Sequence, residues 1–339
     1  ERGCDRPLFF CKRRQRRTLL LSPGGEDSMK IDVIIPTYRP GRKFLELMKR
    51  LSRQSVKADR IIIMNTEEKY FDGLLYGTDF AREYPEAEVH HLSKREYDHG
   101  GTRDRAAAKS SADLFLCMTD DAVPADDRLI ERLRDALCQA EDIAVAYARQ
   151  LPGKESGEIE RYTRAFNYPE ESCVKGREQL KTMGIKTYFC SNVCAMYRRD
   201  IFRELGGFEK HTIFNEDMIF AARAVKAGWR IAYAADACVY HSHDYTAKEQ
   251  FHRNFDNGVS QAQHPEIFDG VSSESEGMKL VKKTVSHLCG IGKPWLVPGL
   301  IVDCGARYAG FFLGKHYRSL PAGLVLRCSM NRDYWKKRY

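Results

Sequence analysis

The sequence predicts an α/β protein built on a doubly wound, mostly parallel sheet, and three observations support this. Apolar runs alternate with amphipathic helical segments throughout residues 29–150, which is typical of a parallel sheet with helices on both faces. The runs are apolar at nearly every position, which indicates strands buried on both sides. Polar side chains follow several runs, at the strand ends where such sheets bind their ligands.

The pattern places five strands and three helices in this first part of the chain. The predicted strands are IDVIIP, RIIIMN, EVHHLS, DLFLCMT and DIAVAYA, at residues 31–36, 60–65, 88–93, 113–119 and 142–148. Helices are predicted at residues 42–54 and 103–112, and a third begins after Asp126, which can cap it. Each helix lies between two strands, as crossover connections require.

The second part of the chain is less regular. Residues 151–190 show little periodicity and are expected to form loops. Asn215 is predicted to cap a helix that ends at Gly228. The segment WRIAYAADACVYHSH, residues 229–243, predicts a pair of strands that ends in two histidines.

Charge and cysteine content limit the class of protein. The net charge is +8, but residues 278–339 hold twelve basic and two acidic side chains, while residues 29–277 are net acidic. A generally basic nucleic-acid-binding protein would not be built this way, so no nucleic acid is expected as a partner. The 11 cysteines include no C-x-x-C pair, which indicates reduced thiols in the cytoplasm.

The two ends of the chain differ from its middle. Residues 1–28 precede the periodic pattern and are expected to be a non-native or disordered leader, with Met29 as the real start. Residues 29–260 are predicted as one domain and residues 261–339 as a basic, amphipathic helical region. No uncharged apolar run of roughly 18 residues occurs, so no transmembrane helix is predicted.

The basic region has two open interpretations. Its aromatic and basic side chains, at residues 278–339, suit the anionic inner face of a membrane. Alternatively, its helices pack on the main domain or on a second subunit, which leaves a homo-oligomer open.

Asp120 and Asp121 stand together where the fourth strand ends. Two adjacent carboxylates repel each other unless a cation or water separates them. The pair therefore indicates a site for a hard cation together with diphosphate oxygens. An ordinary aspartate-rich turn is the alternative.

Three further motifs carry possible chemistry. Glu216 and Asp217 stand in a first helical turn, where one carboxylate can act as a general base or merely complement the helix dipole. His241 and His243 alternate along a strand and therefore face the same side. The turn HGGTRD is expected to leave backbone N–H groups free for an anion, with Arg103 beside them.

The motifs VIIPTYRP, HGGTRD, TDDAVP, SNVCAMYRRD, NEDM and HSHDYT occur in this order. Together they resemble a family 2 glycosyltransferase of the GT-A fold, and within that family the bacterial rhamnosyltransferases. The resemblance covers roughly residues 30–260. It implies a Rossmann-like, mostly parallel sheet flanked by helices, followed here by the basic helical C-terminal extension.

The resemblance also implies a site for a nucleotide diphosphate sugar. Asn65 stands where the family usually has an aspartate that contacts the base, and Arg103 matches the arginine of the nucleotide-sugar turn. The residues expected to bind the nucleotide sugar are Pro36, Thr37, Tyr38, Arg39, Asn65, Gly101, Arg103 and Asp120.

The metal ligands and the base follow from the same resemblance. Asp121 matches the metal-binding aspartate of the family's DxD motif, although Thr119 replaces the first aspartate. His241 matches the histidine that completes the metal shell, and His243 is the second choice. The implied ion is Mn²⁺ or Mg²⁺. Asp217 matches the catalytic base, and Glu216 is its partner in the ED motif.

The resulting hypothesis is an inverting, metal-dependent glycosyltransferase of the cytoplasm, with peripheral attachment to the inner face of the cell membrane left open. It would transfer a sugar, rhamnose from dTDP-rhamnose, to a cell-surface polysaccharide or a lipid-linked oligosaccharide. One alternative is a transferase of the same fold with a UDP-sugar donor. Another is a non-catalytic protein that binds a nucleotide sugar or a lipid. A nucleotidyltransferase is disfavoured because the first strand lacks a glycine-rich signature.

Overall fold

A computed structural model describes residues 29–242, 245–269 and 274–336. The predicted leader, residues 1–28, and His243 lie outside these residues. The described strands are β1 Ile31–Tyr38, β2 Arg60–Thr66, β3 Ala87–Leu92, β4 Leu114–Met118, β5 Val123–Pro124, β6 Ile143–Leu151, β7 Cys173–Lys175, β8 Cys194–Arg198 and β9 Arg230–Tyr240.

Helices cover both faces of the sheet and form the C-terminal region. The described α-helices are α1 Arg42–Leu51, α2 Glu68–Leu75, α3 Phe80–Glu83, α4 His99–Lys109, α5 Leu129–Cys138, α6 Glu158–Asn167, α7 Leu180–Met183, α8 Arg199–Glu204, α9 Glu216–Ala227, α10 Ala247–Gln263, α11 Pro265–Phe268, α12 Glu274–Gly290, α13 Val297–Lys315, α14 Ala322–Cys328 and α15 Arg332–Lys336.

The strands form one sheet in the order β3-β2-β1-β4-β8-β6-β9-β5, with β7 paired to β9. β1 is parallel to β2 and β4, β2 is parallel to β3, and β6 is parallel to β9. β8 is antiparallel to both of its neighbours, β4 and β6. The parallel strands therefore all end at one edge of the sheet, and β8 begins there.

Two apolar layers hold the sheet between its helices. Because side chains alternate along a strand, Val33 and Ile35 of β1 pack in the layer that contains Phe44 of α1. Ile34 packs on the opposite face, in the layer that contains Phe202 of α8. This two-sided burial confirms the predicted α/β class.

Several elements differ from the sequence prediction. α6, β7 and α7 lie within residues predicted as loops, and α2, β8 and α8 were not predicted. The predicted strand pair at residues 229–243 is a single strand, β9, with an irregularity opposite Ala148 and Arg149 of β6. α5 is not capped by the Asp126 side chain; instead Asp126 accepts a hydrogen bond from the N–H of Arg128.

The C-terminal helices pack closely on α10. A Cβ atom on Gly310 or Gly314 of α13 would overlap the carbonyl oxygens of Phe251 and Phe255 on α10. A third apolar cluster joins α10 to α14 and α15, and it includes the fully buried Trp335. Because α10 runs through Gln263, it crosses the predicted domain boundary at residue 260.

The helical segment Pro294–Lys315 is long and apolar enough to cross a membrane, by length and composition, with a mean hydropathy of 1.3. The prediction that no such helix exists is therefore wrong by this measure. Its two interrupting charges, Asp303 and Arg307, form an ion pair of 2.8 Å one turn apart. Only 11% of the apolar window is buried, so most of this helix surface faces outwards.

Candidate active site

The carboxyl edge of the sheet brings Asp121 and His241 together. Asp121 follows β4 and His241 follows β9, and the Nε2 atom of His241 lies 3.6 Å from Oδ1 of Asp121. His241 is 8% exposed, so its ring is held by its surroundings. The predicted pair therefore meets, although the two residues are far apart in the sequence.

A hydrogen-bond network determines which nitrogen of His241 carries the proton. Oε1 of Gln150 lies 3.0 Å from Nδ1 of His241 and also accepts a hydrogen bond from Arg164. Since an arginine only donates, this atom is the oxygen of the amide. Nδ1 of His241 must then be the donor, so Nε2 is the nitrogen whose lone pair a neutral ring directs towards Asp121. An imidazole lone pair beside a carboxylate oxygen fits a divalent cation.

Asp120 adds a second carboxyl group to this edge. The pKa of Asp120 is raised to about 7, mainly by burial and also by the charge of Asp121. The N–H of Tyr38 donates to it, which opposes this shift. Two carboxyl groups that hinder each other's ionisation are suited to a bound cation.

A second group of possible metal ligands consists of Glu68, Asp72 and His91, all exposed. Its histidine has the opposite proton arrangement. Oδ1 of Asn65 accepts from the Thr37 hydroxyl, so the Asn65 amide nitrogen donates to Nδ1 of His91. Nε2 of His91 then carries the proton and faces Glu68. This group therefore fits a cation less well than Asp121 and His241 do.

Glu216 and Asp217, in the first turn of α9, have different surroundings. Glu216 is buried and lies 3.2 Å from Nη1 of Arg103 and 3.3 Å from Nδ1 of His99. Burial alone would raise the pKa of Glu216, but the charges of Arg103 and His99 lower it well below its usual range. Glu216 therefore remains an anion within an ion pair.

Asp217 is only half-buried and remains accessible. Its carboxylate accepts hydrogen bonds from the N–H groups of Asn192 at 2.9 Å and Met218 at 2.8 Å. The pKa of Asp217 is raised to about 6, mainly by burial and also by the charge of Glu216. A fixed, accessible carboxylate with such a pKa is suited to act as a general base near neutral pH.

Asn192 connects these carboxylates to the rest of the site, and the sequence prediction did not identify it. Its side-chain amide donates to Glu216 at 3.1 Å, and the Tyr197 hydroxyl donates to its carbonyl at 2.7 Å. The preceding residue, Ser191, accepts a hydrogen bond from Gln150. Hydrogen bonds and adjacent residues thus connect His241, through Gln150 and Asn192, to Asp217.

The HGGTRD turn is used differently from the sequence prediction. Asp98 caps α4, and its Oδ1 atom accepts the N–H of Gly101, so that N–H group is not free for an anion. A side chain on Gly100 would overlap the Glu209 carbonyl oxygen, which explains one glycine by packing. Arg103 points to Glu216, with its side chain 5% exposed. Its predicted contact with the nucleotide stays a prediction.

The ends of β1 and β2 carry the other predicted nucleotide residues. Thr37 of β1 and Asn65 of β2 are buried and hydrogen-bonded to each other, and Pro36 directly precedes Thr37. Tyr38 and Arg39 are exposed; Arg39 lies over the ring of Tyr70, 4.7 Å from its centroid, and donates to its hydroxyl. The exposed aromatic and cationic groups here suit a base and a phosphate.

Two of the residues that the sequence analysis missed follow a signal that it did contain. Gln150 lies at the carboxyl end of β6, and Asn192 precedes β8 at the same edge. The same rule of polar residues at strand ends had selected Asp121. Unlike Asp121, Gln150 is followed by no recognisable motif in the sequence.

The Glycosyl transferase family 2 model matches residues 32–206 of the chain. The chain is 37% identical over 315 residues to the O-antigen chain rhamnosyltransferase RfbN of Salmonella typhimurium, covering 91% of this chain and 96% of that protein. It is 35% identical over 311 residues to the O-antigen chain rhamnosyltransferase WbaN of Salmonella anatum, covering 89% and 95%.

Among solved structures, the mannosyltransferase PcManGT from Pyrobaculum calidifontis, in complex with GDP-Man and Mn²⁺, superposes with a TM-score of 0.51. The sequence identity is 14%, and the match covers 91% of this chain and 83% of that protein. At this identity the likeness concerns the fold, which agrees with the predicted GT-A architecture.

Proposed function

The chain belongs to glycosyl transferase family 2 and is a glycosyltransferase, and from this we propose that it transfers rhamnose from dTDP-rhamnose to a growing O-antigen chain. The relatives named O-antigen chain rhamnosyltransferases, at 37% and 35% identity over nearly their full length, support rhamnose as the sugar and an O-antigen chain as the acceptor. The dTDP nucleotide is the one that the sequence resemblance implies. The proposed catalytic unit is residues 29–260, which contain every predicted site residue.

One observation supports the proposed mechanism above all others: His241 is hydrogen-bonded to Gln150, Gln150 to Ser191, and the N–H of the adjacent Asn192 to Asp217. This connection supports a common site for the candidate metal ligands and the candidate base at one edge of the sheet. Asp121 and His241 would hold Mn²⁺ or Mg²⁺. When bound, the cation would neutralise the charge that develops on the diphosphate leaving group.

The side chains of the protein then act on the acceptor. Asp217 takes the proton from the acceptor hydroxyl as the oxygen attacks the anomeric carbon. The new glycosidic C–O bond forms while the bond to the diphosphate breaks, and dTDP leaves. Since attack and departure occur on opposite faces, the anomeric configuration inverts. Glu216, held by Arg103, stays charged and keeps the pKa of Asp217 raised.

A panel of donors tests the function. Transfer to an O-antigen acceptor should occur with dTDP-rhamnose and Mn²⁺, and chelation of the metal should reduce it by about 10³-fold or more, because a bound cation supplies several kcal/mol. Asp121→Asn should reproduce the chelated rate, while the exposed Asp127→Asn nearby serves as the matched control. Equal turnover with UDP-sugars would reassign the donor, and metal-independent turnover would remove the cation from the proposal.

We also propose that α13 attaches the enzyme to the inner face of an anionic membrane. Its outward surface is uncharged and follows a helical repeat: Ile301, Val302, Tyr308 and Phe312 are 48–64% exposed, and Trp295 just before the helix is 68% exposed. The surrounding region has twelve basic side chains, which complement anionic lipids. Because α13 packs along the polar α10, it is suited to lie on the bilayer rather than cross it.

Vesicle flotation tests this attachment. The protein should float with phosphatidylglycerol-containing vesicles, and Val302→Asp together with Tyr308→Asp should weaken partitioning roughly tenfold, because two apolar groups no longer enter the lipid. Tyr76→Asp, at a residue that is 92% exposed elsewhere, is the matched control. Unchanged flotation of the α13 variant would exclude this surface. If the α13 variant loses a dimer but still floats, the exposed surface of α13 is instead a contact between subunits.

A further inference from the structure

Arg253 of α10 has no role in the mechanism proposed above. Its guanidinium carbon lies 4.7 Å from the ring centroid of Phe214 and 5.8 Å from that of Tyr245. Among the residues that the structure describes, no carboxylate pairs with Arg253 and no hydrogen bond holds it. Contact with the two rings positions the guanidinium without occupying its N–H groups.

The surroundings of Arg253 are rich in positive charge. Burial, together with the nearby charges of Arg164 and Arg307, lowers the pKa of Arg253. Those two arginines already have acidic partners, since Arg164 pairs with Glu160 and Arg307 with Asp303. A partly desolvated cation without a counter-ion is unfavourable until an anion arrives.

Aromatic contacts connect Arg253 to the reaction site. Phe214, over which Arg253 lies, contacts the ring of His99 with 5.7 Å between centroids, and Nδ1 of His99 lies 3.3 Å from Glu216. Arg164, the neighbouring cation, donates to the same Gln150 oxygen that orients His241. Arg253 is only half-buried, so a ligand in the site can reach its guanidinium.

We propose that Arg253 binds a phosphate group of a substrate, using the planar guanidinium fork that suits phosphate oxygens. This inference rests on the proposed function, because it takes the substrate to be a phosphate ester. Such a group has two sources here: the diphosphate of the donor, or the diphosphate of a lipid-linked acceptor. Both present the same chemistry to Arg253.

The test compares Arg253→Gln with the wild-type holoenzyme in Mn²⁺. If the donor supplies the phosphate, the variant should bind dTDP about 10- to 100-fold more weakly, as expected for the loss of charge-assisted hydrogen bonds, and dTMP equally well. If the acceptor supplies it, dTDP binding is unchanged. In that case KM should rise by a similar factor for a glycan on polyprenyl diphosphate but not for the free glycan. Arg253→Lys should restore part of either loss.

A purely structural role predicts a different set of results. Because Arg253 has no acidic partner among the described residues, Arg253→Gln should not lower the melting temperature of the ligand-free protein. Arg318→Gln is the matched control, since Arg318 also lies over a ring, that of Tyr317, in the C-terminal region. A lower melting temperature with unchanged dTDP affinity and acceptor KM would overturn the proposal. Wild-type transfer would survive that outcome, so the proposed function would be unaffected.

Discussion

Replacement of Asp217 by asparagine should reduce kcat by about 10²- to 10⁴-fold, the range that a positioned general base contributes. The amide has nearly the same shape but cannot accept the proton of the acceptor hydroxyl. Donor affinity should stay unchanged, because Asp217 lies with Asn192 and Met218 rather than with the metal ligands. Single-turnover transfer assays and dTDP titrations would measure the two quantities separately.

The pH dependence provides a second measurement of the same role. A base must be deprotonated to act, so kcat/KM should rise with pH and level off above the pKa of Asp217, which is about 6 in the metal-free protein. A divalent cation at Asp121 would lower this value, so 6 is the upper end of the expected range.

The control for Asp217 is Asp200→Asn. Asp200 stands in the first turn of α8 and accepts the N–H of the next residue at 2.8 Å, as Asp217 does, but it is exposed and follows the end of β8, at the sheet edge opposite the site. This variant should retain wild-type activity and the same pH profile. Wild-type turnover by Asp217→Asn would transfer the role of base to another group.

Replacement of Arg103 by methionine should destabilise the fold by about 3–5 kcal/mol, the cost of leaving one member of a buried ion pair without its partner. The side chains of Arg103 and Glu216 are 5% and 4% exposed, so water cannot compensate for the loss. Urea denaturation measures the difference in the free energy of unfolding. The exposed Arg105→Met on the same helix is the matched control.

A double variant separates the pair from its two members. Adding Glu216→Gln to Arg103→Met removes the uncompensated anion and should recover most of the lost stability. If Arg103 instead serves mainly to bind the nucleotide, Arg103→Met will keep the wild-type stability and raise the donor KM. That result would restore the role that the resemblance implies for this arginine.

The sequence was informative wherever a property repeats along the chain. Buried strands such as Ile31–Tyr38 are continuous apolar runs, so the sheet and the position of Asp121 at its carboxyl edge were predictable. The family resemblance added His241, which the structure places 3.6 Å from Asp121. The family, the enzyme class and the fold are confirmed by the comparisons. The roles of the individual site residues stay predictions.

What could not be predicted depends on contacts between distant residues. The pairing of Arg103 with Glu216 joins residues from two helices, and a motif does not show which charge will face another. The capping of α4 by Asp98, which was also not predicted, is by contrast a local contact with Gly101, three residues along the chain. α6 was missed although its apolar residues Ile159, Tyr162 and Phe166 recur at helical spacing, so the prediction of loops there was wrong.

The glycine contacts between α10 and α13 have a geometric consequence. Backbone touches backbone at Gly310 and Gly314, with no flexible side chain between the helices to absorb a displacement. Arg253 lies on α10 within the same stretch, between Phe251 and Phe255. With α13 on the membrane as proposed, the helix pair would therefore hold the base at one constant height above the lipid headgroups.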